Sequence, residues 1–135
     1  MTTHEESRPA LPMPVKATPY RHQQEAFDFV CRSFGLLPEP EDGPPVLKSS
    51  GCALLMEMGT GKTITSIAIT GALAKAGRIG RVLIVAPLSI LGVWEAEFAR
   101  FADFPYFLAV LEGTGAKKLD TLRHMTGAAL QVAVV

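Results

Sequence analysis

The residues Gly59-Thr60-Gly61-Lys62-Thr63 combine the types and the spacing needed to hold a polyphosphate. A triphosphate carries several negative charges, and backbone N–H groups at a helix N-terminus hold such charge with help from the helix macrodipole. Side chains would block that approach, so Gly59 and Gly61 supply the open backbone. Lys62 adds a full positive charge at the first helical turn, placed to reach the β- and γ-phosphates. The Thr63 hydroxyl is placed to coordinate Mg²⁺. Lys62 and Thr63 are therefore the candidate catalytic groups, and Thr60 and Ile64 complete the expected cofactor-binding stretch. The full pattern G-x-x-x-x-G-K-[ST] asks for glycine where Met56 stands, so the match is partial. The bland reading is a glycine turn with an exposed lysine.

Such a loop needs a strand to deliver it and a helix to receive it. Ala53-Leu54-Leu55-Met56 is a continuous apolar run of buried-strand type. Residues 62–76 have helical periodicity, with Ile64, Ile67, Ala68, Gly71 and Ala72 on the buried stripe and Gly77 as the stop. Upstream, Ala26, Phe27, Val30 and Phe34 recur at helical spacing from His22, and Gly35 follows. Residues 36–50, with Pro38, Pro40, Pro44 and Pro45, read as a surface loop, and residues 1–17 as an irregular tail. Downstream, residues 81–86 form a strand stopped by Pro87. Ser89 then offers an N-cap for a helix whose Leu91, Trp94, Phe98 and Phe101 share one face. A strand over 107–111, a short helix over 117–125 and a strand from Gln131 complete the order. This alternation predicts an α/β fold, a parallel sheet with helices on its faces. Val132 to Val135 carry no polar cap, which points to an N-terminal piece of a longer protein.

Composition narrows the field further. A chain of 135 residues supports a single core, and 48% hydrophobic with 19% charged residues describes an ordinary globular protein. Thirteen basic and thirteen acidic residues cancel, so bulk charge does not advertise a nucleic-acid binder. A translocase, however, can confine its basic residues to one groove. Cys31 and Cys52 stand far apart without metal-ligand spacing and read as buried thiols. His4, His22 and His124 show no pairing of metal or nucleophile type. Arg78 with Arg81, and Lys117-Lys118, could each meet a phosphate backbone, yet such clusters are usually solvated surface. The N-terminus has no signal-peptide character, and no apolar run reaches the roughly 18 residues of a membrane span. A soluble, intracellular protein is expected.

The flanks of the glycine loop carry a resemblance. Residues 51–63, with Glu57 and Met58 before Gly59, closely resemble motif I of the Swi/Snf-like ATPases in helicase superfamily two, whose usual form is D-E-M-G-x-G-K-T. Met56 replaces the acid. Thr18-Pro19-Tyr20-Arg21-His22-Gln23-Gln24 looks like the Q-type motif of that family, which implies that Gln23 bonds the adenine edge, with Gln24 as the other register. Pro87-Leu88-Ser89-Ile90 through Trp94, Glu97 and Phe98 is similar to motif Ia, P-x-S-L-x-x-x-W-x-x-E-[FW], with Ile90 standing for leucine. That implies a loop touching the DNA backbone, with Ser89 as the DNA-contact residue; the alternative is that Ser89 only caps its helix. Trp94 reads as packing.

The resemblance runs from Thr18 to Phe101 and loosely beyond. It implies that residues 18–135 are part of a RecA-like, P-loop NTPase lobe, with ATP and Mg²⁺ as cofactors and duplex DNA as partner. Membrane is not implied. The departure lies in the acids. The family places a D-E-x-H tetrad after a later strand, and no such tetrad stands here. Glu5-Glu6 and Glu41-Asp42 sit in the tail and the proline-rich loop, and Glu57 is on the wrong strand for a base. The intact parent is thus expected to be a DNA-stimulated ATPase, and this chain alone to bind nucleotide weakly and hydrolyse almost none. Two rivals stay open: a small-molecule kinase on the same loop, and a truncated nucleotide-binding module without turnover. The short tail, without chromatin-reader sequence, suits a bacterial or phage cytoplasm better than a eukaryotic nucleus.

Overall fold

The computed structural model describes residues 11–38, 41–42, 47–56, 59, 61–127 and 129–135. Helix α1 spans Arg21–Ser33 and buries Phe27, Val30 and Cys31, spaced three and four apart on one face. Its end is closed by Gly35 at φ 77°, which lets the Gly35 N–H reach Arg32 O and the Leu36 N–H reach Cys31 O. Helix α2, Lys62–Lys75, ends the same way: Gly77 at φ 70° brings its N–H to Ala74 O and the next N–H, of Arg78, to Leu73 O. These glycine stops are the ones the sequence predicts.

Strand β1 (Arg81–Ile84) leads through a 3₁₀ turn (Leu88–Ile90) into α3 (Leu91–Phe101). Strand β2 (Tyr106–Val110), helix α4 (Gly115–His124) and strand β3 (Leu130–Val134) follow. The three strands form a parallel sheet in the order β1-β3-β2. Every residue of β3 is buried, as expected for a strand with neighbours on both edges and helices on both faces. Val132 and Val134 face α2 and α3 together with Ile67, Leu91 and Phe98. Ala133 faces the opposite side, against Leu111 and Met125 beside α4. A further apolar cluster joins α1 to α2 and takes in Met13 and Val15. Residues 11–17 are irregular but packed: Val15 bridges to Ala102, and the Lys16 N–H donates to Phe101 O. Pro14 and the Phe104 ring press on Gly71 of α2 so closely that a Cβ there would overlap them.

Some expectations change. Residues 53–56, read as a strand, join no sheet among the described residues, and Leu55 is 95% exposed. A strand is held by ladder hydrogen bonds to a neighbour, and this apolar run has none here. Ser89 is not the N-cap of α3. Pro87, at φ −58°, starts a 3₁₀ turn in which the Ile90 N–H donates to Pro87 O, so α3 begins at Leu91 and Ile90 is its cap. Helix α4 starts two residues earlier than predicted because Thr114 caps it, its hydroxyl accepting from the Lys117 N–H at 3.3 Å. The proline-rich stretch holds no helix or strand in its described residues.

Candidate phosphate-binding site

The site is built on the N-terminus of α2. Gly59 and Gly61 both take positive φ, 79° and 95°, a region that L side chains rarely adopt. Gly61 caps the helix and Lys62 is its first residue. The buried Thr65 fastens the junction: its N–H and its hydroxyl both donate to Gly61 O, at 3.1 and 2.8 Å. Ser66 Oγ donates to Lys62 O at 2.7 Å. No acidic residue stands in the first turn of α2, so nothing in it cancels the positive end of the dipole. Lys62 is exposed and makes no ion pair among the described residues.

Gln23 meets this loop from α1. Only 7% exposed, it accepts the Tyr20 N–H on Oε1 at 3.0 Å, and its Nε2 lies against Gly61, where a Cβ would collide with it. Gln24 points elsewhere, donating to Leu11 O and to Asp28 Oδ1. Of the two registers, the structure brings Gln23 to the loop.

A cavity of about 790 Å³ opens here, within the range of small-molecule sites. Gly59, Gly61, Lys62, Thr63 and Ile64 line its α2 end, and Tyr20 with Gln23 its α1 side. The far wall comes from α3: Glu97, Arg100 and Phe101, with Ile90 just before that helix. Sequence reasoning gave this α3 wall no binding role. Glu97 lies in the segment similar to motif Ia, which assigns it no binding role, and Arg100 carries no signal in the sequence. The predicted Thr60, and the Glu57-Met58 pair, lie outside the described residues.

Mg²⁺ keeps most of its water and is held by phosphate oxygens with only one or two protein oxygens. The half-buried Thr63, facing the cavity beside Lys62, fits that role. Among the described residues, no group of three or more His, Cys, Asp and Glu is arranged to hold a metal by itself.

The remaining sequence candidates separate from the cavity. Ser89 is exposed on the 3₁₀ turn next to Ile90. Arg78 donates to Phe34 O at 3.1 Å, and Arg81 to Gln131 Oε1 and Met125 O at 3.0 and 2.9 Å, so both guanidiniums tie elements together. Trp94 packs, half-buried, on the core between sheet and helices. His22 stacks on Tyr20, and His124 Nδ1 lies 2.7 Å from Asp120 O. Cys31 is buried as expected, and burial, reinforced by the Asp28 charge, pushes its thiol up to about 12. Cys52 is exposed, contrary to expectation, because it precedes the apolar run that no strand covers.

The architecture is a parallel α/β sheet beside a helix that a positive-φ glycine caps. Residues 4–135 match the family model of the SNF2-related domain, and the chain belongs to that family. Over 113 residues it is 32% identical to the Arabidopsis thaliana SNF2 domain-containing protein CLASSY 3, covering 80% of this chain and 8% of that protein. Over 52 residues it is 46% identical to the Danio rerio chromodomain-helicase-DNA-binding protein 8, covering 38% of this chain and 2% of that one. The solved Sulfolobus solfataricus SWI2/SNF2 ATPase core in complex with dsDNA matches the fold with a TM-score of 0.67 at 23% identity, over 94% of this chain and 23% of that chain. The chain thus spans a small part of the relatives it matches.

Proposed function

We propose that residues 18–135 are the N-terminal part of the ATP-binding, RecA-like lobe of a Swi/Snf-like DNA translocase. The observation that carries this reading is the meeting of Gln23 with the Gly61-Lys62 helix cap in one cavity. ATP binds with its phosphates on Gly59, Thr60, Gly61 and Lys62, with Mg²⁺ on Thr63, and with Gln23 and Ile64 beside the nucleoside. In the intact protein Lys62 and Thr63 act on the transferring phosphate, and closure of a second lobe turns hydrolysis into movement along duplex DNA. Relatives named for helicase and DNA binding, and a fold neighbour solved with dsDNA, support that partner. The exposed Ser89, on the turn after β1, is the candidate contact to a DNA phosphate. Among the described residues no helix is long and apolar enough to cross a membrane. The compartment follows the source: cytoplasm in a bacterial or phage system, nucleus in a eukaryote. Membership of the SNF2-related domain family removes the ground for a small-molecule kinase.

The 135 residues hold no D-E-x-H tetrad, so the isolated chain binds ATP but does not turn it over. Equilibrium binding checks the first half: Lys62→Ala weakens ATP by about tenfold or more, the loss of a charge-assisted contact. Phosphate release with and without duplex DNA checks the second. Robust turnover that disappears in Lys62→Ala would sink the claim that the acid is lacking. The rival reading is a nucleotide-binding module without turnover. A coding sequence continuing into D-E-x-H decides for the translocase.

A further inference from the structure

We propose that Glu97 recognises the vicinal ribose hydroxyls of the bound nucleotide. The inference rests on the nucleotide-binding reading above and adds to it a residue from a different helix. The cavity has two chemically distinct walls. One is the amino end of α2, with the open glycines and the Lys62 ammonium. The other is the flank of α3, where Glu97 and Arg100 stand one turn apart on the same side.

A carboxylate and a triphosphate repel each other, so with the phosphates seated at Lys62 the neutral nucleoside half is what meets Glu97. An ionised carboxylate only accepts hydrogen bonds, and adjacent sugar hydroxyls donate two in parallel. Glu97 is half-buried and faces the cavity, yet it has no hydrogen bond or ion pair with any described residue. Two cations at this part of α3 have other partners. The Arg100 guanidinium lies over the Phe101 ring, 4.9 Å from its centroid, and the Lys16 ammonium reaches Ala99 O at 3.5 Å. Glu97 therefore presents acceptors to the cavity, and the Arg100–Phe101 pair borders the same wall.

The test compares the 135-residue chain with Glu97→Ala, Glu97→Gln and Lys62→Ala for binding of Mg²⁺ with ATP, inosine triphosphate, 2′,3′-dideoxy-ATP and tripolyphosphate. Wild type is expected to bind ATP about tenfold or more tighter than the dideoxy analogue. Glu97→Ala brings ATP down to the dideoxy level and leaves the dideoxy analogue and tripolyphosphate within about twofold of wild type. Glu97→Gln, which keeps an acceptor without the charge, retains part of the preference. An unchanged thermal midpoint for Glu97→Ala shows that the fold is intact. The proposal is overturned if wild type does not distinguish the two sugars. It is equally overturned if Glu97→Ala weakens tripolyphosphate as much as ATP, or if the change falls on the ATP-to-inosine ratio, which would place Glu97 at the base amine. Lys62→Ala separates the layers. Loss of all ligands together upholds the phosphate site whatever Glu97 does, whereas a wild type that binds no tripolyphosphate and no ATP removes both readings.

Discussion

Gly61 sits where a side chain has no room. Its φ of 95° alone disfavours any L residue, and a Cβ would collide with the Gln23 amide and approach Ile64 Cγ2 at 3.1 Å. Gly59 shares the left-handed backbone, but no described residue lies within 4 Å of its Cβ position. Both substitutions to alanine therefore carry the backbone cost of about 1–2 kcal/mol, and only Gly61→Ala also displaces Gln23. Titrating ATP against each variant should show Gly61→Ala the more damaged, and equal losses would mean that Gln23 plays no part in shaping the loop. A different prediction belongs to the thiols. Cys31 keeps its proton up to about 12 because it is buried beside Asp28, whereas its ordinary value is 9.0. Below pH 9 the thiol is protonated folded and unfolded alike, and this site gives no pH dependence. Between about 9 and about 12 the unfolded chain releases the proton and the folded one retains it, so stability falls as pH rises. Thermal midpoints at pH 8 and pH 10 should drop by less in Cys31→Ala than in wild type. A thiol reagent applied to the native chain at neutral pH should modify the exposed Cys52 and spare Cys31.

Helix α2 has to satisfy two neighbours at once, and Gly71 is where they crowd it. The Phe104 ring and Pro14 occupy the space a methyl would need. Alanine at a helix interior is worth roughly 0.5–1 kcal/mol over glycine, but forcing a buried overlap costs about 1–3 kcal/mol. The steric term is larger, so Gly71→Ala should destabilise. Gly92 near the start of α3 has no described residue within 4 Å of its Cβ position, and its replacement by alanine should be neutral or slightly stabilising. Urea midpoints for the two variants decide, and a stabilised Gly71→Ala would mean that Phe104 swings away without loss. At this scale much was legible. Helix ends carry local chemistry, so Gly35 and Gly77 marked the true stops of α1 and α2. The start of α3 is not legible, because Ser89 has the hydroxyl of an N-cap and only the backbone shows that Pro87 already begins a tighter turn. The Glu97 side of the cavity was illegible for another reason: it depends on how α3 packs beside α2, which no spacing along one helix encodes.

Pairing between distant strands is a property of the whole molecule. Periodicity announced β1, β2 and β3 and the α/β class, yet nothing local says that β3, last in sequence, lies between the other two. The same gap explains residues 53–56. Their apolar run has the composition of a buried strand, but a strand is completed by a neighbour, and Leu55 here meets solvent. Opening free energies should follow this asymmetry. The β3 amides pair with strands on both sides, and Val132 and Val134 lie at 0% exposure between sheet and helices. Amides of residues 53–56 have no ladder partner among the described residues. Hydrogen exchange on the isolated chain should thus leave the interior of β3 the slowest part to exchange, opening only with global unfolding, while residues 53–56 exchange within the first time points. Adding Mg²⁺-ATP should slow the start of α2, around Gly61 to Ile64, because ligand bound only to the folded site lowers its opening by mass action. Strong protection of residues 53–56 without nucleotide would contradict their unpaired state. It would mean that the loop is delivered by a formed strand, as the sequence pattern alone suggests.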